Sequence, residues 1–307
     1  MKVIKLSYNQ TIEEQDLILC LGFFDGMHIA HQLLFNQTLS LGKTKKKKTG
    51  LLTFSTHILS YILETPFYYL TSTEDKIEIA ESQGFDYFYI LEVNDSLISL
   101  TPTEFISRFL KNAVYVVVGY DYTFGKFGKG NVNLLKNQDQ FETIIVPELD
   151  YYRKKVGSSR IKNLLEDGKL HYANTLLGRP YQIQGEIVKG KERGRLLGYP
   201  TANLNYEFYV LPKMGVYITE AILEGKRYQA MTNVGDNPTF FDRLLTLETH
   251  IFGIDDSLYG KKITIIFKEF FREELCFSSK EDLIQQMIQD EYQIKEKLKT
   301  KEKLKTR

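Results

Sequence analysis

The feature that most constrains this chain is a change of hydrophobic rhythm at Gly178-Arg179-Pro180. Before it, short and almost wholly apolar runs alternate with stretches of helical spacing. Leu17 to Phe24, Gly50 to Phe54, Tyr87 to Val93, Val114 to Tyr120 and Thr143 to Leu149 read as strands buried on both faces of a parallel sheet. Between them, Ile29 to Leu41, Glu74 to Ser82 and Pro102 to Leu110 carry apolar residues at helical intervals. This βαβα order predicts a doubly wound α/β domain, whose ligands sit at the carboxyl ends of the strands.

Beyond that point strand-like runs follow one another without long helices: Tyr181 to Val188, Val216 to Leu223, Lys226 to Val234, Leu245 to Phe252 and Lys262 to Phe267. Separated by Gly, Asn, Asp and Pro, they predict an antiparallel barrel or sandwich. A closing helix is expected near Ser278, where Ser278 and Glu281 have capping-box spacing and Leu283, Ile284, Met287 and Ile288 make one apolar face. A length of 307 residues suits two domains, which we expect at 1–178 and 179–307.

Composition excludes several classes. Hydrophobic residues at 43% and charged residues at 26% are those of a globular chain rather than a disordered or fibrous one. No run of about 18 apolar residues occurs, and Met1 to Lys5 does not lead into a secretory segment, so a soluble cytoplasmic protein without membrane association is expected. Cys20 and Cys276 are far apart in apolar stretches, which predicts two buried thiols and neither a disulfide framework nor a zinc site. Seven basic and two acidic residues from Lys295 to Arg307 give the end of the chain +5 of a net charge of +1. That segment reads as a solvated helical end rather than a nucleic-acid arm. The run Lys43 to Lys48 suits a helix C-terminus.

Two constellations carry chemistry. The first strand ends in Gly22-Phe23-Phe24-Asp25-Gly26-Met27-His28-Ile29-Ala30-His31. Its glycines permit tight turns, and histidines three apart share one face of an opening helix whose free N–H groups attract anions. That is a phosphate site in which imidazoles meet charge developing on an α-phosphate, or else a plain glycine turn with two histidines. Gly157-Ser158-Ser159-Arg160 opens a second helical segment, with hydroxyls and a guanidinium for another phosphate cluster. In the second half, Gly190, Gly194 and Gly198 recur every four residues among Lys189, Lys191, Arg193 and Arg195. This spacing suits a polyphosphate loop or a basic hairpin, and it is not a Walker A loop. The following Pro200-Thr201-Ala202-Asn203 sets a hydroxyl and an amide oxygen on one side of an extended chain, hard donors appropriate to Mg²⁺. In Leu245 to Ile251, Glu248 and His250 face away from Leu245, Leu247 and Ile251, so Glu248 can accept a hydroxyl proton.

With these residues in place, the chain resembles the bacterial bifunctional riboflavin kinase/FMN adenylyltransferases over about residues 15 to 290. Residues 22 to 31 look like that family's G-F-F-D-G-V-H-x-G-H, residues 156 to 162 like S-S-T-R-I-R, and Val118 to Gly125 like V-G-x-D-F-x-F-G. The Gly-Arg-Pro-Tyr to Pro-Thr-Ala-Asn stretch, Gly215-Val216-Tyr217 and Asn233 to Thr239 look like riboflavin kinase. The sequence departs at Thr53-Phe54-Ser55-Thr56-His57, where the family has T-F-D-P-H, and at Ala30, where it has glycine.

The resemblance implies an N-terminal nucleotidylyltransferase domain, a six-stranded kinase barrel closed by a helix, and ATP, riboflavin and FMN as substrates with Mg²⁺. It implies catalytic roles for His28, His31, Arg160 and, as base, Glu248. Substrate contacts are implied for Gly22, Phe23, Phe24, Asp25, Phe54, His57, Asp121, Ser158 and Ser159, and Mg²⁺ ligation for Thr201 and Asn203. In the kinase half, contacts are implied for Gly190, Lys191, Arg193, Gly194, Arg195, Gly198, Pro200, Asn233 and Arg272, an ion pair being the alternative for Arg272. A kinase with a merely flavin- or nucleotide-binding N-terminal domain, and a flavin-binding regulator, are the other functions these residues allow.

Overall fold

Strand β2 (Leu17–Leu21) is buried at every position, and its two faces feed separate cores. Leu17, Leu19 and Leu21 join Tyr89, Val116, Phe105 and Phe109 on one side, while Ile18 and Cys20 join Phe35, Phe88 and Val117 on the other. A strand without a polar face is stable only between two apolar layers, which is why this run is continuously hydrophobic. In the computed structural model, β1 (Lys2–Leu6), β3 (Thr49–Phe54), β4 (Tyr87–Leu91), β5 (Ala113–Gly119) and β6 (Glu142–Val146) complete an all-parallel sheet with β2, in the order β1-β4-β3-β2-β5-β6. The structure describes residues 1–189, 200–206, 208–238, 243–254 and 258–305.

The chain leaves β2 through helix α1 (Ile29–Lys45) toward β3, but leaves β5 toward β6 on the opposite side. Connections that diverge at the carboxyl ends of neighbouring strands open a crevice there. The 22–31 segment and Asp121 therefore lie at the topological switch point of the sheet. Helix α2 (Thr73–Gln83) starts with the Ser72/Asp75 capping box. The expected helix from Pro102 is an α turn, Pro102–Phe105, continuing as a π-helix, Ile106–Leu110.

The chain forms two compact units, Met1–Arg160 and Ile161–Arg307, the division falling inside helix α3 (Ser158–Glu166). Helix α4 (Leu170–Leu177), which a boundary near residue 178 assigns to the first half, packs on the second: Asn174 Nδ2 donates to the Phe267 carbonyl and Asn174 Oδ1 accepts from Tyr181 N–H. The second unit is a closed antiparallel barrel of β7 (Tyr181–Val188), β8 (Ala202–Asn205), β9 (Gly215–Leu223), β10 (Lys226–Pro238), β11 (Arg243–Ile251) and β12 (Lys262–Arg272), ordered β7-β8-β11-β10-β9-β12. Thr219, Thr232 and Thr249 are buried and linked through their hydroxyls at 2.9 Å, so these positions form its interior.

Helix α5 (Lys280–Lys305) covers part of the outside, Met287, Ile294 and Leu298 packing on Val216, Ile218 and Met231. Two expectations about this helix are corrected. The Ser279 hydroxyl, one residue later than Ser278, accepts the Asp282 N–H, and Ile288 is exposed because the buried face runs through Met287, Asp290 and Ile294. A third correction concerns the thiols. Cys20 is buried, and desolvation pushes its pKa up to about 12, whereas Cys276 lies exposed.

Candidate active sites

Between β2 and α1 the chain takes three left-handed residues in close succession, Phe24 (φ 55°), Gly26 (φ 83°) and Met27 (φ 39°). Such backbone is costly for the two non-glycine residues and persists because their side chains are buried. Phe24 folds back into the core against Phe35 and the edge of His31. A Cβ on Gly22 would lie 2.5 Å from the Phe24 ring, so glycine is required where the loop doubles back. Gly22→Ala is expected to cost about 1–3 kcal/mol through overpacking. It should lower adenylyl transfer while leaving the barrel's activity unchanged, which a urea melt followed by circular dichroism and both activities would read.

The turn delivers His28 to the N-cap of α1, where its Nδ1 accepts the His31 N–H at 3.4 Å. An accepting Nδ1 leaves the hydrogen of a neutral ring on Nε2, a donor for an anion. The His28 and His31 rings stack, with centroids 3.6 Å apart and planes 15° from parallel. The first turn of α1 holds no acidic side chain to offset the positive end of its dipole.

The segment before and within α2 holds this loop from beneath. Asp25 Oδ1 accepts from the N–H groups of Leu70 and Thr71, at 2.7 and 3.3 Å, and Gly26 N–H donates to Thr71 Oγ1 at 2.9 Å. The Phe23 carbonyl accepts from Lys76 Nζ at 2.9 Å and from Thr53 Oγ1 at 3.1 Å. Lys76 is buried, with its ammonium 4.1 Å from the centre of the Phe23 ring. The amphipathic pattern of 74 to 82 gave no sign of a buried lysine. Its only signal is a cation set on the apolar side of a helix, which needs a partner when desolvated.

From the other half of the sheet, Ser158 Oγ donates to the Asp25 carbonyl at 2.8 Å, joining the Gly-Ser-Ser-Arg turn to the histidine loop. Phe54 ends β3 and is half-buried, and His57 stacks on Phe67 at 4.3 Å with the edge of Phe23 beside it. Ser55, standing where the resembled pattern has Asp, accepts the Val93 N–H, and Thr56 bonds the Tyr69 hydroxyl. The structure thus brings Phe23, Asp25, His28, His31 and Ser158 together. Arg160 and Asp121 are engaged nearby: Arg160 Nη1 donates to the carbonyls of Tyr151, Lys154 and Lys155, and Asp121 pairs with Lys155 at 2.6 Å.

In the barrel, Glu248 on β11 stands in register with Asn203 on β8 and Asn233 on β10. Directly paired residues on adjacent strands lie about 5 Å apart and share a face. That face is the outer one, because Thr232 and Thr249 occupy the interior. Gly235 leaves room for the Glu274 carboxylate, which accepts from Asn233 Nδ2 at 3.4 Å, where a Cβ would lie 2.3 Å from it. Arg272 Nε and Nη2 clasp Asp290 of α5 at 2.6–3.1 Å. Pro200 offers its carbonyl to His250 Nδ1 at 2.9 Å. Gly190, Lys191, Arg193, Gly194, Arg195 and Gly198 lie outside the described residues.

Asn203, in register with Glu248, and Thr201, two residues before it, carry a hard amide oxygen and a hydroxyl, donors whose chemistry fits Mg²⁺. Among the described residues no group of three or more His, Cys, Asp or Glu could hold a metal. Among the described residues no helix is long and apolar enough to cross a membrane.

Comparison with known proteins covers both sites. The FAD synthetase family pattern matches residues 10–160 and the riboflavin kinase pattern residues 177–298. A bifunctional riboflavin kinase/FMN adenylyltransferase of Listeria monocytogenes is 36% identical over 303 residues, covering 95% of this chain and 96% of the relative. One from Bacillus subtilis is 31% identical, covering 94% and 96%. A crystal structure described as a macrolide-efflux protein from Streptococcus pneumoniae superposes with a TM-score of 0.85 at 30% identity, over 95% of this chain and 98% of the other. A parallel-sheet unit with its histidine pair at the switch point, a barrel carrying Glu248 between two asparagines, and relatives matched almost end to end agree on one lineage: the chain belongs to the bifunctional riboflavin kinase/FMN adenylyltransferase family.

Proposed function

We propose that the barrel unit transfers the γ-phosphoryl group of ATP to riboflavin, and that the parallel-sheet unit transfers the adenylyl group of ATP to the FMN so formed. The observation that carries this reading is the presence of both matched domains in one chain, each with the residue types its reaction requires.

The two reactions differ in their need for a base. Riboflavin attacks through a hydroxyl, whose oxygen bonds to the γ-phosphorus as the bridging P–O bond to ADP breaks, and whose proton must leave. Glu248 receives that proton in this reading. FMN attacks through a phosphate oxygen that is already largely deprotonated near neutral pH. It bonds to the α-phosphorus, pyrophosphate departs, and no base is needed. What helps there is positive charge, from the start of α1, from His28 and His31, and from Arg160 and the Ser158-Ser159 turn. Phe23, Phe54, His57 and Asp121 border the flavin side, and Gly22, Phe24 and Asp25 shape the loop.

Mg²⁺ would be held by Thr201 and Asn203 and would neutralise phosphate charge. Pro200 and the glycine-rich 190–198 stretch would surround the polyphosphate, and Asn233 and Arg272 would flank the flavin face. A cytoplasmic setting, where ATP is available, suits these substrates.

Chromatography of products from purified protein with ATP and Mg²⁺, given riboflavin or FMN separately, tests this. FMN then FAD from the first and FAD from the second is the expected pattern. Absence of FAD from FMN at millimolar substrate would leave a kinase with a binding domain. Thr201→Ala and Asn203→Ala should each shift FMN formation to higher Mg²⁺, with partial recovery at saturation. Wild-type Mg²⁺ titrations for both would remove the metal assignment.

A further inference from the structure

His250 has no part in phosphoryl transfer as described, yet it lies among the residues that do. It sits two positions from Glu248 on the same outer face of β11 and is only 7% exposed. Its Nδ1 lies 2.9 Å from the Pro200 carbonyl. A carbonyl can only accept, so Nδ1 carries the hydrogen. Its Nε2 faces the Glu291 carboxylate of α5 at 3.7 Å, and Glu291 also pairs with Lys295. The Lys295 ammonium lies 5.1 Å from the centre of the Phe252 ring, and the His250 ring is 5.7 Å from that ring. One imidazole thus touches the strand of the base, the segment entering Thr201 and Asn203, and the closing helix.

We propose that His250 is a positioning residue of the kinase site. It fixes the Pro200 carbonyl and hence the direction in which Thr201 leaves for β8. The physical need is plain at Thr201, which precedes the first ladder residue, Ala202, paired with Thr249. Asn203 is paired on both sides, with Val188 and Glu248, whereas Ala202 is paired with Thr249 alone, so it is Thr201 that a tether at Pro200 orders. Small displacements of a metal-binding or reacting group reduce rates by up to about 10²-fold.

The inference rests on the kinase reading, and its test separates the hydrogen bond from the bulk of the ring. His250→Phe keeps the ring and removes the donor, while His250→Asn keeps a donor and removes the ring. With the full-length protein, His250→Phe should slow FMN formation about 10- to 100-fold and raise the Mg²⁺ needed for half-maximal rate. His250→Asn should restore most of both, with FAD formation from FMN unchanged in each. Hydrogen exchange without substrate gives a second readout: the Thr201 to Asn203 amides should exchange faster in the Phe variant and near wild type in the Asn variant.

The reverse order, with Phe near wild type and Asn impaired, makes His250 a packing residue and overturns the proposal, as do wild-type exchange and Mg²⁺ curves in both. If the Phe variant fails to fold, the Asn variant decides alone, impairment counting against. Should the wild-type protein form no FMN, the kinase reading fails, and exchange at 201 to 203 still decides whether His250 positions the segment.

Discussion

Glu248→Gln should reduce FMN formation from riboflavin by about 10²- to 10⁴-fold, the usual cost of losing a general base. FAD formation from FMN by the same molecules should be unchanged. Glutamine keeps the length and one acceptor oxygen of glutamate, so its place between Asn203 and Asn233 is preserved while its capacity to take a proton is lost. The adenylyl-transfer rate, measured in the same tube, reports the amount of folded protein. The loss should fall on kcat, with the riboflavin KM little altered, because the proton moves only as the hydroxyl attacks. A variant retaining more than about a tenth of the wild-type kinase rate would remove Glu248 from the role of base.

His31→Ala should have the mirror effect, lowering kcat for FAD formation by about 10²-fold or more and leaving FMN formation at wild-type rate. His31 stacks on His28 and touches Phe24, so its removal withdraws a preorganised donor and loosens the neighbouring ring. The two contributions can be told apart. A loosened loop raises the KM for ATP, whereas a lost charge-stabilising group lowers kcat at saturation. His31→Gln, which retains a donor, should recover part of the kcat. If His31→Ala changes only KM, the imidazole serves binding and not the transition state.

Much of the candidate chemistry was legible because each unit keeps its motif in one short stretch. The 22–31 and 200–203 segments are contiguous, and strand phase alone separates Glu248 and His250 from the residues facing inward. Less legible were elements whose stability comes from neighbours. Strand β1 is mostly exposed and carries no apolar run, since it pairs on one side only, with β4. Strand β8 has four residues and exists because β7 and β11 flank it. Helix α4 follows the Asp167-Gly168 turn closely and shows its buried face only where Leu170, Ala173, Leu176 and Leu177 meet the second unit.

The sequence by itself determined the two architectures, because buried strands must be apolar throughout and half-buried ones must alternate, and these periods are local. It also determined which residue types stand at the strand ends. Tertiary structure decided how they are used. Only the packed core makes Phe24 and Met27 adopt left-handed backbone, with both side chains buried. Only the folded loop gives buried Lys76 the Phe23 carbonyl as its partner. And only the closed barrel sets Asn203, Glu248 and Asn233 in one row, for register between strands distant in sequence is fixed by which faces bury together, and no local spacing encodes it.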